Sequence, residues 1–191
     1  GETFAKTSEL ETFHKKIIAQ NFFSPKVICG VIGCRGSSDR FTMQVQDQAF
    51  EAGRLIAEYG FVTLTGGLSG VMEKALEGAK SVSGETLAIL PGSNKADANR
   101  FVDYVIPSGI GIARNYIIAQ TADILLALNG GRGTLEEMCY GLDFEKKVLS
   151  LGSWEIPEVE ILDSIDDFKA YLDELFEKNF FNQLLKKSKS L

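Results

Sequence analysis

Residues 26–34 read KVICGVIGC, and Gly36, Ser37 and Ser38 follow at once. The apolar run is continuous rather than alternating, which suits a strand buried on both faces, as in a parallel sheet. The small residues after it suit a turn into a helix. Val45, Ala49, Ala52, Ile56 and Tyr59 then recur at steps of four and three, one apolar helix face, and Gly60 stands where a helix C-cap is expected.

The alternation continues outward from there. FVTLTGG (61–67) reads as a second strand, and a helix is expected from Ser69-Gly70 with Val71, Ala75 and Ala79 on one side. TLAILPG and YVIPSG read as the third and fourth strands, ARNYIIAQTA as a helix, DILLAL as a strand. A helix from Thr134 to about Lys146 is followed by KVLSLG and a short last strand in EVEIL. Ser164 opens a C-terminal helix with Ile165, Phe168, Leu172 and Leu175 facing inward. This order predicts an α/β chain: a single Rossmann-like, doubly wound, mostly parallel sheet with helices on both faces. The expected divisions are a helical lead-in over 1–25, a core over 26–162 and a C-terminal helix over 163–191.

Composition narrows the function. The chain has 191 residues, 45% of them hydrophobic, enough for one packed α/β domain. A net charge of −6, with no dense basic run before the tail KKSKS, argues against a nucleic-acid partner. Cys29, Cys34 and Cys139 are an odd number at no metal-binding spacing, which predicts reduced thiols, a cytoplasmic setting and no metal site. No apolar run reaches ~18 residues, so no membrane partner is expected. No segment reads as a signal or transit peptide.

In doubly wound sheets the ligand sits beyond the carboxyl ends of the strands. Four loops expected there are rich in Gly, Ser or Thr: GCRGSSD, TGGLSG, PSGIGIAR and NGGRGT. They make Gly33, Gly36, Ser37, Gly66, Gly67 and Gly70 candidates for ligand contact, with Met72 just inside the helix after TGGLSG. The first loop is not the dinucleotide fingerprint, since Gly30, Gly33 and Gly36 are spaced G-x-x-G-x-x-G, and no G-K-[ST] marks a P-loop.

The strongest signal is Gly130-Gly131-x-Gly133-Thr134. A turn opening a helix offers unpaired N–H groups and the positive end of the helix dipole to a phosphate. Thr134-Leu135-Glu136-Glu137 also fits S/T-x-x-E, a capping box in which Thr134 caps the helix and Glu137 bonds back to it. Spacing alone leaves both readings open. Arg114, at the end of a Gly/Ser loop, can fork onto a phosphate, and Arg35 is a weaker candidate of the same kind. His14 lies away from these loops, so a histidine-based triad has little support.

Taken together, TLTGGLSGVMEKALEGAKSVSGETLAILPG, GIGIARN and NGGRGTLEE resemble the LONELY GUY (LOG)-like superfamily of Rossmann proteins. It includes cytokinin-activating phosphoribohydrolases, molybdenum cofactor carrier proteins and many proteins loosely labelled lysine decarboxylases. The resemblance covers roughly residues 26–152. The family signature P-G-G-x-G-T-x-x-E is matched by Asn129 through Glu137, with Asn129 in place of the proline. Arg114 matches the Arg of the Arg-Lys pair of the phosphoribohydrolases, and Asn115 stands in place of the Lys. The decarboxylase label finds no support, because no lysine for a pyridoxal phosphate Schiff base lies in the four loops.

The resemblance implies that Gly130, Gly131, Gly133 and Thr134 hold a phosphate, with Arg114 and Glu137 as the catalytic pair flanking an N-glycosidic bond. A carboxylate there stabilises positive charge on the ribose or activates water. Two functions follow. One is hydrolysis of a nucleoside 5′-monophosphate to free base and ribose 5-phosphate, which needs no cofactor. The other is a non-catalytic carrier of the molybdenum cofactor, a pterin phosphate. Either way the partner is a small phosphorylated ligand. The resemblance also implies a homo-oligomer, dimer or tetramer, with the N-terminal segment and Phe176, Phe180 and Phe181 as interface candidates.

Overall fold

The computed structural model describes residues 25–188, together with Glu11, His14, Lys15 and Ile18. Most of the N-terminal lead-in therefore lies outside the described residues. The core begins with β1 (Ile28–Gly33), α1 (Met43–Glu58), β2 (Val62–Thr65), α2 (Val71–Ser81) and β3 (Thr86–Leu90). It continues through β4 (Tyr104–Pro107), α3 (Arg114–Thr121), β5 (Ile124–Leu128) and α4 (Arg132–Asp143). β6 (Lys147–Leu151), β7 (Glu160–Leu162) and α5 (Ile165–Ser188) complete it, with single 3₁₀ turns at Lys95–Asp97 and Gly111–Ala113.

The seven strands form one sheet in the order β4-β3-β2-β1-β5-β6-β7, and every pairing is parallel. The chain winds outward from β1 to β4, then crosses back to place β5 on the other side of β1. That reversal between β1 and β5 is the point at which doubly wound sheets open a crevice. The expected Rossmann-like fold is the observed one.

The sheet is covered on both faces, as its continuous apolar strands required. Val31 and Leu126 face a layer built with Ala49, Ile56, Phe61, Phe168 and Leu172 from the α1, α2 and α5 side. Ile32 and Leu125 face the opposite layer with Ile89, Ile118, Met138 and Val148, under α3 and α4. The predicted α1 face is buried throughout, and Gly60 follows the helix with φ 73°, the left-handed turn that glycine makes at no steric cost. Phe168 and Leu172 of α5 are fully buried, and Ile165 and Leu175 pack against the same layer. Phe176 joins this interior and Phe180 packs on it, so these two rings serve the protein's own core, whereas Phe181 is exposed. Among the described residues no helix is long and apolar enough to cross a membrane.

Candidate functional site

The turn between β5 and α4 occupies only Asn129, Gly130 and Gly131. Asn129 has φ 50° and Gly130 φ 119°. Proline, locked near −65°, has no access to the Asn129 conformation, so this turn departs in backbone as well as in sequence from the P-G-G form. Asparagine tolerates the left-handed region, and its Oδ1 accepts a bond from the Gly130 N–H at 2.7 Å.

Gly131 is the N-cap of α4, extended and without any side-chain cap. The first intrahelical bond runs from the Leu135 N–H to the Gly131 carbonyl at 3.1 Å. The amides of Arg132, Gly133 and Thr134 come before it and have no partner inside the helix. This corrects the capping-box expectation. The helix starts two residues earlier than Thr134, which sits inside the first turn against Gly130: a Cβ on Gly130 would lie 2.3 Å from the Thr134 Oγ1. Glu137 does not reach back to Thr134, because its carboxylate pairs with Arg114.

Arg114 opens α3 and is buried, 6% exposed, as is Glu137. Their Nη1 and Oε1 atoms are 3.3 Å apart. Arg114 Nη1 also donates to Asn115 Oδ1 at 2.5 Å, and Asn115 Nδ2 donates to Glu136 Oε2 at 2.8 Å. Asn115 thus bridges the two arms of the site, and Glu136 is held from inside rather than facing away from it. Gly66 makes room for this network. A Cβ there would lie 2.3 Å from Arg114 Nη2, closer than any real contact, so the guanidinium rests directly on glycine backbone.

Burial dominates the electrostatics of the pair. It pushes the Glu137 carboxyl up to about 8, against the opposing pull of Arg114, and the neighbouring Glu136 adds to the rise. Burial and the nearby Arg35 move Arg114 down, but guanidinium remains the cation of the site. Glu137 therefore holds a proton more readily than an ordinary carboxyl, beside a charged Arg114.

These groups line a cleft of about 370 Å³ at the carboxyl ends of the strands. Of the expected site residues, Gly33, Ser37, Gly66, Met72, Arg114 and Asn115 line it, and so do Gly131, Gly133, Thr134 and Glu137. The structure brings together four loops that are far apart in sequence. Gly36, Gly67, Gly70 and Gly130 are not on the cleft wall. Gly67 packs toward Ala88 and Leu90, and Gly70 lies against the backbone of Cys34 and Arg35. Gly36 abuts Ser69. Gly130, with its amide already bonded, backs the cleft rather than facing it. Around Gly131 nothing lies within 4 Å of where a Cβ would stand, so its backbone is open to a ligand.

Some lining residues were not predicted. Arg35, read as the weaker arginine, does line the cleft, and Pro91 and the exposed Ile112 add apolar walls. Cys34 lines it too, its thiol pushed up by burial. Nothing in the residue types marked Pro91 or Ile112. Among the described residues no group of three or more His, Cys, Asp or Glu is placed to hold a metal ion.

A seven-stranded parallel Rossmann-like sheet with an uncapped glycine turn at its switch point defines a class: proteins that bind small ligands at a strand-edge crevice. Within it, the sequence pattern of the SLOG cluster4 family matches residues 26–179, and the chain belongs to that family. It is 44% identical over 122 residues to an uncharacterized protein of Archaeoglobus fulgidus, a match spanning 64% of this chain and 78% of the relative. Among solved structures it is similar to the molybdenum cofactor binding protein of Rippkaea orientalis. The identity is 33% and the TM-score 0.72, covering 78% of this chain and 97% of that one. It is also similar to the molybdenum cofactor carrier protein of Chlamydomonas reinhardtii, with 31% identity and TM-score 0.72, covering 80% and 99%.

Proposed function

We propose that this chain binds a phosphorylated pterin, the molybdenum cofactor, in the cleft and carries it without cleaving a bond. The observation that favours carrying over catalysis is Asn115, which stands where the phosphoribohydrolases have a second cation and bonds instead to Glu136. Glu137 then has the single cation Arg114 beside it, and burial raises its carboxyl. A carboxyl raised in this way is a poorer source of the negative charge that would steady a positive ribose.

The residues fit such a ligand. The free amides of Arg132, Gly133 and Thr134 and the open backbone at Gly131 suit its phosphate, and Arg114 supplies charge deeper in. The relatives that are named for this cofactor share the fold at 31% and 33% identity. The test is a titration of the purified protein with molybdenum cofactor, followed by fluorescence. Saturable binding that phosphate competes away and that Arg114→Ala weakens supports the reading, and no binding removes it.

A second reading has its own observation. Arg114 and Glu137 lie side by side on the cleft, the arrangement that the phosphoribohydrolase resemblance assigns to catalysis. A protonated Glu137 can give its proton to a departing base while water adds at the ribose carbon. This reading expects adenine release from AMP that Glu137→Gln abolishes. Release of no base from any common nucleoside monophosphate excludes it. Both readings include a homo-oligomer, and light scattering decides the count of subunits.

A further inference from the structure

The amides from Gly131 into the first turn of α4 are open, whereas the carbonyls of the glycine turn are tied. Three consecutive carbonyls each accept from a side chain on another loop. Ser153 Oγ donates to the Asn129 carbonyl at 2.6 Å, Arg40 Nη1 to that of Gly130 at 2.5 Å, and Trp154 Nε1 to that of Gly131 at 3.0 Å. Arg40 comes from the β1–α1 loop, Ser153 and Trp154 from the β6–β7 loop, so the turn is gripped from both sides. The two grips are joined, because the Arg40 guanidinium lies 5.9 Å from the Trp154 ring centroid. Asn129 closes the set by donating from Nδ2 to the Arg40 carbonyl at 3.2 Å.

None of Arg40, Ser153 and Trp154 is on the cleft wall. Their effect reaches it through the peptide plane. In a trans peptide the carbonyl and the following N–H point in opposite directions. A Gly130 carbonyl held by Arg40 turns the Gly131 N–H the other way, and a Gly131 carbonyl held by Trp154 does the same for the Arg132 N–H. A cationic donor on the carbonyl also polarises the unit and strengthens its N–H as a donor. Glycine backbone alone would sample other orientations.

We infer that Arg40 and Trp154 are positioning residues for anion binding: a clamp that holds the turn's carbonyls outward and its amides toward the phosphate. This rests on the phosphate-binding reading above. The probe is inorganic phosphate, titrated while the amide resonances of residues 131–134 are followed by NMR. Arg40→Met and Trp154→Phe each remove the donor to one carbonyl, the first at nearly unchanged volume and the second keeping an aromatic ring. Each should weaken phosphate about tenfold, the effect of one well-placed hydrogen bond. Before any phosphate is added, the amide proton of the released peptide should also shift upfield: Gly131 in Arg40→Met and Arg132 in Trp154→Phe.

Arg40→Lys, which can still donate to the Gly130 carbonyl, should recover most of the affinity, a rescue that loss of packing would not give. Should Arg40→Met fail to fold, Trp154→Phe decides alone. Wild-type phosphate affinity with unmoved Gly131 and Arg132 resonances in the folded Arg40→Met and Trp154→Phe variants would overturn the clamp and leave phosphate binding intact. Amides 131–134 that ignore phosphate in the wild type would overturn both.

Discussion

Two helix starts in this protein carry nearly the same sequence signal and end up opposite. α5 opens on Ser164-Ile165-Asp166-Asp167, with Ser164 just before its first residue, and α4 contains Thr134-Leu135-Glu136-Glu137. At α5 the Asp167 carboxylate accepts from the Ser164 N–H at 2.8 Å, the Asp163 N–H at 3.0 Å and the Ser164 hydroxyl at 3.2 Å. These bonds satisfy the N–H groups just ahead of the helix, the returning half of a capping box, and hold the Asp167 carboxyl below its usual range. At α4 the matching Thr and Glu lie within the helix, the cap is a glycine, and the amides remain open. α2 and α3 also lack a side-chain cap, but there backbone carbonyls take the first amides: the Val71 N–H donates to Cys34 and the Arg114 N–H to Gly111. α1, by contrast, is capped by Thr42, whose Oγ1 accepts from the Val45 N–H at 3.4 Å. The lesson is that a capping motif predicts a helix start nearby, not that its side chains satisfy it. Here the three helices that supply residues to the cleft, α2, α3 and α4, all start without a side-chain cap.

The most direct way to break this contrast is to give α4 a cap of its own. Gly131 is extended with free space at its Cβ, so Gly131→Asp places a carboxylate over the open amides without strain. A fixed like charge in an anion cradle should reduce affinity for phosphorylated ligands by about a hundredfold, while the melting temperature holds or rises. Calorimetric titration beside thermal unfolding reads both. If affinity survives, the amides of α4 are not the phosphate site.

Gly66→Ala probes the other wall. The added methyl would displace Arg114, so a stability loss of about 1–3 kcal/mol from overpacking is expected, with ligand affinity down about tenfold. Chemical denaturation measures the first. An unchanged stability would mean that Arg114 is free to move aside.

Glu137→Gln separates charge from shape. Burial raises the folded-state pKa to about 8 from an ordinary 4.5, so between those values the folded protein keeps a proton that the unfolded chain releases. Wild-type stability should therefore fall as pH climbs from about 4.5 to about 8, then level off. Glutamine removes that slope, and unfolding curves across the range show whether it does. A wild-type slope of the opposite sign would place an ionised Glu137 in the folded protein.

The smallest effect belongs to α5. Asp167→Ala should lower the melting temperature slightly and leave ligand affinity untouched, since this cap is exposed and remote from the cleft. Any change in affinity would show that the two helix starts are coupled.

Much of the fold could be read in advance because its signals are local. The run KVICGVIGC, the α1 face from Val45 to Tyr59 and the glycine after it depend on periods of a few residues. The four small-residue loops were likewise legible as one cluster, because a parallel sheet brings the carboxyl ends of its strands to one edge. The pairing of Arg114 with Glu137 was expected only through family resemblance, and Asn115 was read as a missing lysine rather than as a bridge to Glu136. Arg40 and Trp154 escaped notice altogether. Arg40 lies 90 residues from the carbonyl it holds, and no local pattern distinguishes it from a surface arginine.

The sequence by itself determined the alternation of strand and helix, the parallel sheet that follows from it, and the edge at which glycine and hydroxyl groups gather. Those depend on periodicity and on backbone freedom, both written into neighbouring residues. Only the tertiary structure decided what the groups at that edge do: that α4 starts at Gly131 and leaves its amides open, that Glu137 turns to Arg114 and is driven toward its neutral form, and that distant side chains hold the turn's carbonyls. Burial and hydrogen-bond partnership are properties of the space around a residue, and that space is assembled from segments that sequence order keeps apart.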